Sequence, residues 1–277
     1  MEDDLWILLI STEYTEESVL KRQYNSLMSR YGPTCEDGIP LSALAKRDSQ
    51  VSMGRQRPAK DYYWSGKNLT MMVAWMASKT QTKSRRETYV KELKKYIKVD
   101  VYGKLGNFKC GKSNTMINSE EWKLDECTQK TNQYMFYLAF ENSICRDYAT
   151  EKFYRSLQQD VIPVVMGGAD YDRIAPPNSY IDALQFRGPK ELADYLKFLA
   201  SNSQLYNRYF EWKTHYDIDL GHPYSPMICD VCRKLHQFKS KPPEKPTNLN
   251  IGQWIRNASC NWNWTQVLEQ KFTAKVR

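Results

Sequence analysis

Six polar residues stand close together where an apolar run gives way to a helical pattern: Glu141, Asn142, Tyr148, Thr150, Glu151 and Lys152. The run before them, Met135 to Phe140, reads as a buried strand, about Ala149 to Gln159 as a helix, and Val161 to Met166 as the next strand. Strand, loop, helix and strand in that order make a βαβ unit, whose parallel pairing demands a right-handed crossover. In such a unit a ligand sits beyond the carboxyl end of the first strand, where free N–H groups and the dipole of the helix favour phosphate. The chemistry predicted here is capture of a phosphorylated ligand.

A second βαβ unit supplies cations. Met71 to Ala77 reads as a strand; from Arg85 the pattern turns helical, with Tyr89, Leu93, Tyr96 and Ile97 on one face, and the short strand Val99 to Tyr102 comes next. Lys83, Arg85 and Arg86 fall in the loop and first helical turn, where the dipole disfavours positive charge, so an anion among them would account for the placement. The plainer alternative is an exposed basic helix start, since Lys91, Lys94, Lys95 and Lys98 continue the charge along the polar face.

Other chemistry-bearing residues are more isolated. Glu13 lies just past the apolar run Leu5 to Ile10, well placed to line a cleft, although Thr15-Glu16-Glu17 also suits a solvated loop or helix start. Cys229 and Cys232, with His236 beyond them, could be half of a zinc site, but the second pair at finger spacing is missing.

Elsewhere, residues 31–67 read as irregular, with Gly, Pro and several basic positions, and 103–133 likewise, with Gly103, Gly106 and Gly111. Gly167-Gly168-Ala169-Asp170-Tyr171 is a turn, and Ser179 to Ile181 a strand. Leu192, Leu196 and Leu199 mark one face of a helix opening at Pro189, and Asn202 to Lys213 reads as a further, aromatic helix. Lys239 to Pro246 is an extended linker, and the tail beyond it, with Trp254, Trp262 and Trp264, is too aromatic for a plain disordered end.

The 277 residues suffice for one large domain or two smaller ones, and the formal charge of +8 favours an anionic partner or else a solvated basic face. There is no apolar run of about 18 residues and the start is acidic, so as written the chain reads as soluble, without a signal peptide. The seven cysteines, an odd count, would leave at least one thiol unpaired within a secreted chain. Three Asn-x-Ser/Thr triplets, at Asn68, Asn257 and Asn263, matter only on the secretory route.

The stretch YLAFENSICRDYATEKFYRSLQQDVIPVV, from Tyr137 to Val165, resembles the donor-binding motif of the α1,3-fucosyltransferases of glycosyltransferase family 10, in wording closest to invertebrate members. The agreement runs from about Met71 to Cys232 and takes in VAWMAS with Ser84 and Arg86, YVKELKKYIKVDVYG, GGADYDRIAPPNSYI and YFEWK. The resemblance implies an α/β fold of GT-B type, two Rossmann-like domains facing a cleft. Residues 1–70 would be the remnant of an incomplete acceptor-side N-terminal domain, 71–238 the GDP-fucose-binding domain, and 239–277 a linker and tail. It implies an inverting transfer of fucose from GDP-fucose to a GlcNAc-type hydroxyl in α1,3 linkage. The donor would be held by Arg86, Asn142, Tyr148, Glu151 and Lys152, and Glu13 would be the catalytic base.

On the same resemblance no cofactor or metal is needed, the partners are GDP-fucose and a glycan acceptor rather than nucleic acid, and the place is the Golgi cisterna, through a type II membrane anchor missing from this chain. The sequence departs from the family at Tyr14-Thr15, where Ser-Pro is usual, at Lys79, where Asn is usual, and at Leu105, where relatives carry a cysteine. Of the acceptor-side motif only Arg47-Asp48-Ser49 remains. The alternative is a nucleotide-sugar-binding homologue impaired in catalysis for want of a complete acceptor domain.

Overall fold

Two apolar faces on each central strand decide the architecture, because a strand buried on both sides needs a layer of helices above and below. In chain order the elements are β1 (Leu44–Lys46), α1 (Tyr62–Ser65), β2 (Val73–Met76), α2 (Arg86–Leu93), β3 (Val99–Tyr102), α3 (Glu126–Thr131), β4 (Phe136–Phe140) and β5 (Ile144–Cys145). Next come α4 (Glu151–Gln158), β6 (Ile162–Met166), α5 (Tyr171–Ile174), β7 (Ile181–Asp182), α6 (Pro189–Ala200), α7 (Ser203–Arg208), β8 (Tyr216–Ile218), β9 (Cys260–Asn261) and α8 (Trp264–Thr273). This computed structural model describes residues 44–46, 62–110, 126–218, 260–261 and 263–273. All of them belong to one compact unit, Leu44–Leu220 with Asn250–Arg277. The expected strand at Leu5 to Ile10, Glu13, the Cys229/Cys232 pair, Trp254 and Trp262 lie outside the described residues.

Five strands form one parallel sheet in the order β3-β2-β4-β6-β7. Side chains alternate across it with a period of two. Val73, Trp75, Phe136, Leu138, Phe140, Ile162 and Val164 face one core with Tyr89 and Leu93 of α2 and Leu192, Leu196 and Leu199 of α6. Ala139 and Val165 face the other, against Phe153 and Leu157 of α4, Tyr171 and Trp212. The sheet is therefore doubly wound, as the two expected βαβ units require. Among the described residues no helix is long and apolar enough to cross a membrane.

Several boundaries differ from expectation for identifiable reasons. Helix α2 ends at Leu93, and the chain turns there, with both Tyr96 and Ile97 N–H groups donating to the Leu93 carbonyl. Tyr96 is consequently 38% exposed instead of lying on the apolar face, while Ile97 remains buried. The aromatic segment after Asn202 is not one helix: α7 stops at Arg208 and a 3-10 turn succeeds it at Glu211–Thr214. Between them Phe210 turns into the core, stacked on Tyr63 with ring centroids 4.2 Å apart. The strand expected at Ser179 to Ile181 lies slightly later, at β7, and the stretch 103–133, read as irregular, contains α3, tied by the Cys110–Cys127 disulfide.

The tail has a definite seat. Trp264 packs edge-on against Tyr89 at 4.9 Å, donates its backbone N–H to the Ser84 carbonyl (3.3 Å) and its indole N–H to Thr88 Oγ1 (3.0 Å). Helix α8 is thereby held on α2, with Leu268 buried between neighbours.

At the amino-terminal edge of the sheet two lysines meet one carboxylate. Lys213 donates to Asp160 (2.8 Å) and to the Gln159 carbonyl, and Lys67 donates to the Asn132 carbonyl. Burial, with a further push from Lys213 and against the pull of Asp160, lowers the Lys67 pKa from 10.5 to about 8. The folded value lies below the unfolded one, so between pH 8 and 10.5 this one group binds more protons in the unfolded chain and its own contribution to stability rises with pH. Lys67→Met is expected to raise the unfolding free energy at pH 7.5 and to take the Lys67 contribution out of the pH slope. Paired urea titrations of the two proteins at pH 7.5 and 9.5 measure it, and an equal pH slope in both would refute it.

Candidate functional site

The strand order contains a topological switch point. From β2 the chain passes to β3 on one side and then to β4 on the other, so a crevice opens beyond the carboxyl ends of β2 and β4. The loop leaving β2 is stitched to the end of β4: Ser84 N–H donates to the Asn142 carbonyl (3.0 Å) and Ser84 Oγ to the Glu141 carbonyl (2.7 Å). Thr82 donates its N–H and its hydroxyl to the Glu87 carboxylate, and Arg85, at the cap of α2, takes a left-handed conformation (φ 53°). That turn delivers Arg86 into the crevice.

Arg86 is only 3% exposed. Its Nη1 donates to the Phe140 carbonyl (2.5 Å), its guanidinium lies 5.6 Å from the Trp75 ring centre, and its Nε has no hydrogen-bond partner among the described residues. Burial lowers its pKa, while Glu141 foremost among the neighbouring groups opposes that shift. The side chain thus places a fixed positive charge and an unused donor directly beneath the last residues of β4.

Glu141 closes β4 with no exposed surface, and its carboxylate fastens the start of α4 to the strand end. It accepts from Thr150 N–H (2.8 Å) and Thr150 Oγ1 (2.8 Å) and from Lys152 Nζ (3.2 Å). Lys152 Nζ also donates to Thr150 Oγ1 (2.7 Å) and Glu151 (3.2 Å). Thr150 is the N-cap residue of α4, a position where a threonine hydroxyl ordinarily accepts from the first helical N–H groups. Here the hydroxyl is turned to Glu141 and makes no cap, which leaves the start of the helix to another acceptor.

The other expected residues gather at the same place. Asn142 has a buried Oδ1 with no partner among the described residues. Burial, and after it the Glu141 charge, raises the Tyr148 pKa, with Lys152 and Arg86 acting in the opposite sense. Burial pushes the Glu151 carboxyl up, but Lys152 beside it and hydrogen bonds outweigh that and hold it below its ordinary value. Arg86, Asn142, Tyr148, Glu151 and Lys152 are therefore brought together around Glu141, whereas Glu13 is outside the described residues.

Four features of the site were not given their role by the sequence. Glu141 itself was legible as a polar strand end but not as the centre of the cluster. Tyr171 has a buried Oη without a partner among the described residues, and burial followed by the Glu141 charge raises its pKa, so it keeps its proton. Gly167 passes so close that a Cβ there would collide with Tyr171 Oη, and one on Gly168 would collide with the Cys145 carbonyl oxygen. Finally, β5 pairs with β9 and Cys145 is disulfide-bonded to Cys260, so the tail forms one edge of the loop that carries Tyr148. The usable signals were a charged residue closing an apolar strand, and a Gly-Gly pair ending the next one.

A parallel sheet with a cation-bearing, helix-lined crevice at its switch point makes this a doubly wound α/β domain, a class in which ligands lie at that point. The family model described as glycosyltransferase family 10 (fucosyltransferase), C-terminal part, matches residues 65–254, and the chain belongs to that family. It is 43% identical over 235 residues to glycoprotein 3-α-L-fucosyltransferase A of Drosophila melanogaster, covering 79% of this chain and 44% of the relative. It is 42% identical over 174 residues to α-(1,3)-fucosyltransferase C of the same species, covering 62% of this chain and 37% of the relative. The chain thus spans about two fifths of the length of these curated relatives. A solved α1,3-fucosyltransferase with GDP-fucose overlaps 67% of this chain and 52% of its own, with a TM-score of 0.44 and 17% identity.

Proposed function

We propose that this chain carries the donor-binding domain of an inverting α1,3-fucosyltransferase, which moves fucose from GDP-fucose to a GlcNAc-type hydroxyl of a glycan. The observation that carries the reading is the convergence of Arg86, Asn142, Tyr148, Glu151 and Lys152 at the switch point, with Arg86 Nε and Asn142 Oδ1 both buried and without partners among the described residues. A nucleotide diphosphate laid against the start of α4 would meet the dipole, Lys152 and Arg86 together. As the bond to the sugar breaks, charge grows on the β-phosphate. Fixed cations stabilise that charge where other enzymes use a metal, so turnover is expected to survive EDTA.

The acceptor hydroxyl must lose its proton to a base, and Glu13 is assigned that role on the motif context alone. The relatives' names support the fucosyl transfer; a second Rossmann-like domain on the acceptor side and residence in the Golgi membrane belong to the same proposal and rest on the family resemblance. Isothermal calorimetry with GDP, followed by GDP release from GDP-fucose in the presence of a lactosamine acceptor, tests it. Binding with acceptor-dependent release is expected. Binding without release would favour a catalytically impaired nucleotide-sugar-binding homologue, and no binding would refute both.

A further inference from the structure

Between Cys260 and Trp264 the aromatic tail touches both loops that border the crevice. On one side β9 pairs with β5 and Cys260 is bonded to Cys145, whose carbonyl accepts from the Tyr148 N–H (3.2 Å). On the other side Trp264 N–H donates to the Ser84 carbonyl (3.3 Å), and Ser84 is the residue that clasps the Glu141 and Asn142 carbonyls.

Two further routes lead from Trp264 to Arg86. Its indole N–H donates to Thr88 Oγ1 (3.0 Å), and Thr88 Oγ1 donates in turn to the Arg85 carbonyl (2.7 Å). That carbonyl also accepts from the Thr88 and Tyr89 N–H groups (3.0 and 3.3 Å), so three donors fix it. Arg85 is one of three non-glycine residues with positive φ among the described residues, a conformation that a long side chain seldom adopts, and its turn sets where Arg86 points. The other route runs through rings. Trp264 meets Tyr89 edge-on at 4.9 Å, Tyr89 meets Phe140 edge-on at 5.5 Å, and the Phe140 carbonyl accepts from Arg86 Nη1 (2.5 Å).

The helix that Trp264 opens has its own attachments farther on. Leu268 is buried in the core, and Lys271 Nζ donates to the Leu184 carbonyl (3.0 Å) and to Gln185 Oε1 (2.6 Å). The contacts of Trp264 converge instead on the turn and the carbonyl that hold Arg86. We propose that Trp264 is a positioning residue for Arg86, which it keeps aimed at the diphosphate of the donor through Thr88, Ser84 and Tyr89. This role rests on the reading that the crevice binds GDP-fucose, and part of its test does not require turnover.

In full-length protein carrying isotope-labelled arginine, the buried Arg86 Nε–H should give a slowly exchanging line that Arg86→Ala removes. Trp264→Ala and Thr88→Val are expected to speed its exchange, while Thr88→Ser, which keeps the hydroxyl, restores the wild-type rate. In turnover, Trp264→Ala should lower kcat about tenfold, as for slight misplacement of a group at the reacting centre, with GDP affinity within about twofold of wild type. Trp264→Phe keeps a ring against Tyr89 but loses the N–H, so a loss of about threefold is expected, that of one hydrogen bond. In an Arg86→Ala background each change should cost less than about twofold, because the group being positioned is gone. An Arg86 line unaltered by Trp264→Ala, or a kcat loss as large without Arg86 as with it, overturns the positioning role. If the line responds as expected while the wild type binds no GDP, the donor-site reading falls and the hold of Trp264 on Arg86 stands.

Discussion

Glu141→Ala is expected to lower the unfolding free energy by about 3 kcal/mol, as for a buried ion pair deprived of one partner, and to weaken GDP binding at least tenfold in molecules that remain folded. The carboxylate is fully buried and joins the end of β4 to the start of α4 through Thr150 and Lys152. Removing it strands the Thr150 N–H and leaves Lys152 with Thr150 and the exposed Glu151 as its remaining partners. Glu141→Gln separates the two contributions. The amide can still accept from Thr150 but brings no charge to Lys152, so stability should fall by only about 1 kcal/mol while GDP affinity still declines. Denaturant titration and calorimetry measure the two effects. An alanine variant within about 0.5 kcal/mol of wild type, the spread of ordinary surface changes, would show that Glu141 does not organise the site.

Arg86→Ala should reduce kcat/KM for GDP-fucose by about 10²- to 10³-fold, the usual loss when one fixed donor to developing charge is removed. The argument is geometric: the guanidinium is held by the Phe140 carbonyl and the Trp75 face, so little reorganisation is needed when charge appears on the leaving phosphate. Arg86→Lys keeps a positive charge but replaces a planar fork with a point ammonium, whose three donors radiate from one atom and do not reproduce the separately placed Nη1 and Nε donors of the guanidinium. An intermediate loss is expected for it, concentrated in kcat more than in GDP affinity. Rates within threefold of wild type for the alanine variant would remove Arg86 from charge stabilisation and leave it a packing role.

How much of the fold and site was legible depended on how far along the chain each contact reaches. The βαβ unit from Met135 to Met166 and the helix opening at Pro189 came from local apolar periodicity, and β3 appears over the very residues expected, Val99–Tyr102. Tyr96 and the break after Arg208 were misread because tertiary packing ended each helix earlier than periodicity alone would. The clasp of Ser84 on Glu141 spans 57 residues, the Trp264–Thr88 bond 176 and the Cys145–Cys260 disulfide 115, and no local pattern encodes such pairings. The candidate site was therefore readable as a set of residue types, while its centre, Glu141, and its border, the tail, were not.

The Cys145–Cys260 link also imposes an order in time. During synthesis the cysteine just past Glu141 leaves the ribosome 115 residues before the one that will clasp its loop. At about 5–20 residues per second that interval is roughly 6–23 s. Through it Cys145 lacks its native partner, and Cys110 and Cys127 are already available as wrong ones. The nucleotide site is thus among the last parts of the domain that can mature. Its assembly depends on thiol exchange as well as on packing, so a cell short of disulfide isomerase would be expected to accumulate folded sheets with an unfinished donor pocket.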